Sequence, residues 1–279
     1  MNHATAHGLL GAHRYRALHR VRVTLDGQPD RSFEDRYELR CAGKSDCYGR
    51  QDNSLEYGVE FYRIGEETYF RHRYQRFLKF TEEPAEARRR SEHIWGAGAA
   101  IIELLQGHLV VTPAGEITVV GRPASRYKLS RGRGLALSYT GRRAWRSRLK
   151  ALGIEGEAVL DKATGAVLTL RVTYAVSAPK AGRTVTIAGT FDGAVVEVGK
   201  PLAIAAPADF KVARSRPREA QELQMLGSQR LYPGWFRGGG PQAARRARSG
   251  SRPRARSFTA PPSRARRPAV RRPGPADKP

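Results

Sequence analysis

Hydrophobic and polar residues alternate with a period of two through much of the first 210 residues. In the segment Arg20–Leu25, arginine or threonine alternates with valine or leucine, and similar segments run through 33–41, 55–61 and 166–176. Because successive side chains of a strand point to opposite faces, each segment predicts a strand with one apolar and one solvated face. This pattern is typical of an antiparallel sheet rather than of a parallel sheet covered on both faces.

Turn residues separate these segments. Asp26-Gly27, Ile64–Glu67 and Ala114-Gly115 lie between strand-like runs and predict hairpin turns. Asp161 and Gly165 bracket a further turn. Here glycine supplies the positive φ of a tight hairpin, and the aspartate can accept hydrogen bonds from the amides of the turn.

Two segments predict helices that interrupt the strands. One begins with Thr81 as N-cap and runs to about Leu105, with Gly96 and Gly98 as a break. Its second half, Ala97–Leu105, is apolar almost all round and is expected to be buried on more than one side. The other runs from about Thr5 to Leu18, directly before the first strand. With nine or ten strands and two or three helices, the predicted fold class is α+β.

Charge divides the chain near residue 210. Residues 1–210 carry a net charge of +9, whereas residues 211–279 carry +15 and hold 10 of the 17 prolines. Only seven of these last 69 residues are Leu, Ile, Val or Phe. Few apolar residues with high net charge predict disorder. The sequence predicts a folded domain over 5–210 and a disordered basic tail over 211–279, which is either a working polybasic arm or an out-of-frame extension.

Catalytic and metal-binding motifs are absent from the sequence. The seven histidines show no metal-ligand spacing, and no serine lies in a Gly-x-Ser-x-Gly motif. We therefore expect a protein that is not an enzyme and that holds neither metal nor cofactor. Cys41 and Cys47 bracket a short loop. They can form a disulfide in an oxidising compartment, or remain free thiols in a reducing one.

Three features together resemble a bacterial superfamily. They are the short helix leading into a first strand, the strand meander with a helical interruption, and the strand–turn–strand block Gly156–Leu168. Over about residues 6–207 the chain looks like the periplasmic lipoprotein carriers, which comprise LolA-like and LppX-like proteins and outer-membrane lipoprotein-sorting domains. The resemblance implies a curved, mostly antiparallel half-open barrel whose concave face is covered by helices and takes acyl chains.

The alternating positions and the helix supply a set of candidate cavity residues. A one-sided sheet must cover its apolar face, and two or three helices can leave part of it open as a cavity. Each of these residues has core packing as its alternative role. The candidates are Tyr37, Leu39, Tyr57, Val59, Phe61, Ile101, Leu105, Leu168, Leu170, Val172 and Ile187.

A basic run supports a different function. Between Glu116 and Glu155 the chain holds ten Lys or Arg and no acid, with Tyr127, Tyr139 and Trp145 among them. Such residues can contact anionic lipid headgroups, or they can bind nucleic acid by neutralising phosphates and stacking on bases. The candidate contacts are Arg122, Arg126, Lys128, Arg131, Arg133, Arg142, Arg143, Arg146 and Arg148.

The preferred function is non-enzymatic binding or carriage of a lipid, a lipoprotein acyl chain or a similar amphiphile at the cell envelope. Nucleic-acid binding and a ligand-free envelope scaffold are the alternatives. The expected partners are a lipid or lipidated protein and an anionic membrane surface, and we expect a monomer. Met1–Thr5 lacks the features of a signal peptide. We therefore expect a periplasmic or envelope protein if the natural start lies upstream, and a cytoplasmic one if Met1 is the start.

Overall fold

One sheet dominates the computed structural model, which describes residues 3–43, 46–81, 83–134, 148–180 and 182–213. Within these ranges there are two helices, α1 (His3–Gly8) and α2 (Pro84–Leu105). The strands are β1 (His13–Leu25), β2 (Gln28–Cys41), β3 (Cys47–Asn53), β4 (Gly58–Ile64), β5 (Glu67–His72), β6 (Phe77–Thr81), β7 (Leu109–Val119), β8 (Arg122–Arg131), β9 (Lys150–Asp161), β10 (Val167–Lys180), β11 (Arg183–Val198) and β12 (Phe210–Val212).

The twelve described strands follow the order β12-β6-β5-β4-β3-β2-β1-β11-β10-β9-β8-β7. Neighbouring strands are antiparallel, except that β12 pairs with β6 in parallel over three residues. The sheet is curved and does not close, so that β12 and β7 are its edges. The predicted α+β class with a curved, mostly antiparallel half-open sheet is confirmed.

Helix α2 shows how strongly the sheet curves. A Cβ built on Gly49 of β3 would lie 2.6 Å from Ile94 Cδ1, and one built on Gly98 would lie 2.8 Å from Leu170 Cδ2 of β10. Strands β3 and β10 are four strand spacings apart, or about 19 Å in a flat sheet. Ile94 and Gly98 are one turn apart, about 6 Å along the helix axis. The sheet therefore wraps around this turn of α2.

Two features predicted from the sequence are wrong: the end of the first helix and the position of one hairpin turn. The helix predicted to reach Leu18 ends at Gly8, because period-two burial begins already at His13 and continues through β1. The dipeptide Ala114-Gly115 lies inside β7, where Gly115 has a φ of 99° within a bulge against β8. The hairpin turn follows instead at Val120-Gly121, whose φ angles of 47° and 76° suit a two-residue turn.

Helix α2 also begins and continues differently from the prediction. Thr81 is the last residue of β6, and Glu83 occupies the N-cap position without a side-chain cap hydrogen bond. Gly96 and Gly98 lie within one uninterrupted helix. Tertiary packing overrides the low helix propensity of glycine here, because Gly98 lies against the sheet where a side chain would collide.

The turn between β9 and β10 agrees with its predicted chemistry. Asp161 Oδ2 accepts hydrogen bonds from the Thr164 amide and hydroxyl at 2.8 and 2.7 Å, and Gly165 has a φ of 70°. Neither described helix is long and apolar enough to cross a bilayer. The predicted tail lies outside the described residues beyond position 213, so its disorder remains a prediction.

Candidate functional site

The buried side chains of the strands form one apolar surface, here called the inner face. Ten of the eleven candidate cavity residues are at most 5% exposed and belong to a single core cluster. The eleventh, Tyr57, lies before β4 and packs half-buried against that cluster. Ile101 and Leu105 of α2 are in the same cluster, so the helix covers this face in the present conformation. The ten buried residues are Tyr37, Leu39, Val59, Phe61, Ile101, Leu105, Leu168, Leu170, Val172 and Ile187.

Phe191 of β11 lies where Gly98 of α2 approaches the inner face. A Cβ on Gly98 would lie 3.1 Å from Phe191 Cε1 as well as 2.8 Å from Leu170 Cδ2. Gly189 and Gly193 precede and follow Phe191 on the same face of β11. A Cβ on Gly189 would meet the Tyr174 ring at 2.7 Å, and one on Gly193 would meet the Tyr15 hydroxyl at 2.6 Å. Two tyrosines therefore fill the spaces that the glycines leave beside Phe191.

A polar pair lies next to Phe191 within this apolar surface. His19 of β1 is fully buried, and its Nε2 is 2.9 Å from the Tyr174 hydroxyl. The His19 ring contacts Phe191 edge-on, with ring centroids 5.9 Å apart. Burial lowers the pKa of His19 to about 4, so the ring is neutral at neutral pH. Its Nδ1 is also buried and has no hydrogen-bond partner among the described residues.

A buried carboxylate continues the polar row across the sheet. Asp35 of β2 is the register partner of His19 and is itself buried. Asn53 Nδ2 donates to Asp35 Oδ1 at 2.7 Å, and Gln51 Nε2 is 3.4 Å from the same oxygen. The row Tyr174–His19–Asp35 thus places donors and acceptors within a largely apolar surface. Such buried groups are stable only when their hydrogen-bonding capacity is used.

This polar row was not among the site residues predicted from the sequence. The sequence nevertheless contains a sign of it. His19 lies two residues before Val21, and Asp35 lies two residues before Tyr37, so each occupies an apolar position of the alternating pattern. Both residues therefore belong to the inner face by period two. Polar residues at apolar positions within an alternating strand are the feature that would have revealed them.

The cysteines lie at the loop end of the β2–β3 hairpin. Cys41 and Cys47 are register partners, and their sulfur atoms form a disulfide with a Cα–Cα distance of 4.1 Å. The bridge closes a loop of which residues 44 and 45 lie outside the description. Both cysteines are buried in the core cluster, so the bridge ties the hairpin to the inner face.

The predicted basic contacts have different surroundings. Arg122 is not a free surface cation, because its guanidinium donates two hydrogen bonds to buried Asp161. Arg126 lies 3.8 Å from Glu157, and Arg131 donates to the carbonyls of Ala151 and Leu152. Exposed side chains without an ion pair among the described residues are Lys128, Arg133 and Arg148. Arg142, Arg143 and Arg146 lie outside the described residues.

The solvated face of the sheet offers a different kind of surface. An open groove of about 800 Å³ crosses β1, β2, β3, β10 and β11 there. Its charges are paired within the sheet: Arg50 with Asp52 at 2.6 Å, and Arg171 with Asp192 at 3.2 Å. In the described part of the chain, no group of three or more His, Cys, Asp or Glu side chains can hold a metal ion. The inner face is therefore the stronger candidate for binding an apolar molecule.

No family model and no curated protein matches this sequence. A crystal structure of MucB aligns at 15% identity over 71% of this chain and 58% of MucB, with a TM-score of 0.27. The lipoprotein LppX of Mycobacterium tuberculosis aligns at 11% identity over 67% of this chain and 89% of LppX, with a TM-score of 0.22. A LolA superfamily protein from Nitrosomonas europaea aligns at 6% identity over 64% of this chain and 86% of its own, with a TM-score of 0.19.

The solved structures that align with the chain thus include an LppX lipoprotein and a LolA superfamily protein, the two groups that the sequence resembles. This chain spans little more than half of MucB. At these TM-scores the alignments carry no argument about what the chain binds, and the site is defined by its own residues.

Proposed function

We propose that the protein binds and carries an apolar or amphiphilic molecule, such as a lipid or a lipoprotein acyl chain, at the bacterial cell envelope. The ligand would lie between the inner face and α2. One observation carries the proposal: an unclosed sheet wraps its apolar face around α2, which lies close to that face at Gly98 and, through Ile94, over Gly49. Glycine contacts of this kind leave a smooth surface on which the helix can shift.

The free-energy cost of displacing α2 is comparable to the free energy gained by burying an acyl chain in its place. Displacing α2 exposes four large buried side chains, Ile94, Ile101, Leu104 and Leu105, which costs roughly 6–12 kcal/mol at about 1.5–3 kcal/mol each. An acyl chain of about 16 carbons gains roughly 13 kcal/mol when it is buried, at about 0.8 kcal/mol per methylene. An acyl chain of this length therefore offsets the loss of the helix contacts, whereas a short one does not.

The exposed basic side chains supply the membrane contact in this proposal. Lys128 on β8, Arg133 just after it and Arg148 just before β9 point into solvent at one end of the sheet. Each basic residue near an anionic bilayer surface contributes about 1 kcal/mol to binding. These three would orient the carrier on the bilayer from which it takes its ligand.

The experiment that tests the proposal is a titration of the full chain with a fluorescent long-chain fatty acid, combined with mass spectrometry of an organic extract. We expect uptake of the probe, or a co-purified lipid. The double variant Gly49→Cys/Ile94→Cys is designed to join α2 to β3, because a Cβ on Gly49 would lie 2.6 Å from Ile94 Cδ1; since that Cβ would also displace the Phe61 ring, circular dichroism first checks that the variant folds. Oxidised, it should lose at least tenfold in probe affinity and regain it on reduction.

Wild-type protein with and without reductant is the matched control, because it contains the Cys41–Cys47 disulfide. Its affinity should change less than twofold. If the wild-type chain neither takes up the probe nor yields a lipid extract, the carrier function is excluded. Equal binding by the oxidised and reduced double variant would show that α2 is not the cover.

A further inference from the structure

The polar pair beneath α2 has a hydrogen-bonding position left over. His19 Nε2 is engaged with the Tyr174 hydroxyl, and either tautomer of the ring therefore leaves Nδ1 to donate or accept one further bond. Nδ1 is buried and has no partner within the described ranges. A buried polar atom of this kind costs free energy unless something binds it. A packed core would place an apolar side chain here instead.

The pair lies directly beneath the contact between the helix and the sheet. Phe191 is the register partner of His19, and its ring touches both the His19 ring and the Gly98 position of α2. One aromatic side chain thus separates His19 from the space that α2 occupies. If the helix shifts and Phe191 turns with it, His19 and Tyr174 face whatever replaces the helix.

We propose that His19 and Tyr174 form the site for the polar group of the bound amphiphile, and that this group is an uncharged hydroxyl such as that of a monoacylglycerol. This inference rests on the proposed function. The acyl chain lies along Leu170, Leu39 and Val172, and its hydroxyl bonds to Nδ1 of His19. A hydroxyl both donates and accepts, so it satisfies either tautomer of the ring.

The side chains near the site favour an uncharged headgroup over a charged one. No lysine or arginine is buried among the residues whose side-chain burial the structure describes, so these residues offer a carboxylate or phosphate no buried countercharge. Asp35, the register partner of His19, supplies no positive charge to the site. The neutral His19 ring supplies none either, because burial lowers its pKa to about 4.

The test compares three fluorescent probes of equal chain length on the full protein at pH 8: a monoacylglycerol, a fatty acid and an alkane. The wild-type chain should bind the monoacylglycerol at least tenfold more tightly than the other two. His19→Phe should reduce that preference to less than twofold, chiefly by weakening the binding of the monoacylglycerol. Tyr174→Phe, which keeps the ring, tests the pair again if His19→Phe does not fold.

A matched control removes a hydroxyl that does not face the inner surface. Ser177→Ala alters a side chain on the opposite face of β10 from Tyr174 and Val176, so the preference should persist. The headgroup assignment is overturned if the wild-type protein prefers the fatty acid, or if both site variants retain the tenfold preference. Failure of all three probes to bind the wild-type protein would instead exclude the carrier function itself.

Discussion

Gly98 of α2 and Leu170 of β10 are in such close contact that a Cβ on the glycine would lie 2.8 Å from Leu170 Cδ2. The same Cβ would lie 3.1 Å from the Phe191 ring. Position 98 therefore decides how near α2 can approach the inner face. A Cβ built on Gly96, in the same helix, would meet no atom within 4 Å.

These two glycines form a matched pair of variants. Alanine raises intrinsic helix stability by about 1 kcal/mol over glycine at both positions. At position 96 nothing opposes that gain, and we expect Gly96→Ala to raise the free energy of unfolding by about 0.5–1 kcal/mol. At position 98 overpacking costs roughly 1–3 kcal/mol, so Gly98→Ala should lower it by about 1 kcal/mol. Urea unfolding of both variants measures the difference, and equal effects would contradict the close contact.

A second glycine pair tests the space beside Phe191. A Cβ on Gly189 of β11 would lie 2.7 Å from the Tyr174 ring, whereas one on Gly153 of β9 meets nothing within 4 Å. Gly189→Ala must displace a buried tyrosine and should destabilise the protein by about 1–3 kcal/mol. Gly153→Ala should change stability by less than about 0.5 kcal/mol. Thermal unfolding measures both effects, and a neutral Gly189→Ala would show that the ring has room to move.

The parts of the fold that follow from local pattern were predictable. Period-two alternation predicts the strand character of β2 and β10, and Asp161 with Gly165 predicts the chemistry of the turn between β9 and β10. Alternation does not measure distance between elements. It therefore predicts neither that Gly98 approaches Leu170 nor that α2 remains unbroken, since both depend on how the sheet wraps around the helix.

The residues of the candidate site also differ in whether the sequence predicts their role. The apolar members of the inner face are visible from their parity alone, and Leu39 and Leu168 are examples. The pairing of Arg122 with Asp161 joins residues 39 positions apart and depends on the β8–β9 register. Composition counts Arg122 only as one of many cations, so it gave no indication that this side chain is held inside an ion pair.

The ion pair between Arg122 and Asp161 should contribute to the free energy of unfolding at neutral pH. The Arg122 guanidinium, helped by the amide and hydroxyl of Thr164, lowers the pKa of Asp161 to about 2. Asp161→Asn keeps an oxygen for the turn but removes the charge, and we expect it to lose about 2 kcal/mol of unfolding free energy at pH 7. The control Arg126→Gln removes an exposed arginine 3.8 Å from Glu157 and should change stability by less than about 0.5 kcal/mol.

Lowering the pH should remove the difference in the free energy of unfolding between Asp161→Asn and the wild type. A carboxyl whose pKa is lowered on folding stabilises the protein above its unfolded pKa, near 4, and loses that effect as pH falls through its folded pKa of about 2. Chemical unfolding at pH 7, 4 and 2 measures the gap. A gap that stays constant down to pH 2 would mean that the charge of Asp161 does not contribute.

The buried His19 makes the free energy of unfolding fall at low pH. A histidine that gains an acidic partner on folding has the opposite effect, because its stabilisation is lost as the pH rises. Burial lowers the pKa of His19 from 6.5 to about 4, so the unfolded chain binds a proton in this range that the folded chain does not. The free energy of unfolding therefore falls as the pH drops from about 6.5 to 4, by about 3 kcal/mol in total. Burial also lowers the pKa of His13, which adds to the same trend.

The variant His19→Phe separates the two histidines. It should remove most of the His19 contribution and reduce the slope of unfolding free energy against pH, between pH 4.5 and 6, by about 1.4 kcal/mol per pH unit. Urea unfolding at half-unit pH steps measures the slope, and an NMR titration of the wild-type His19 ring measures its pKa directly. A ring that titrates near 6.5 in the folded protein would show that His19 is solvated, and would remove both the pH effect and the buried polar position assigned to the ligand.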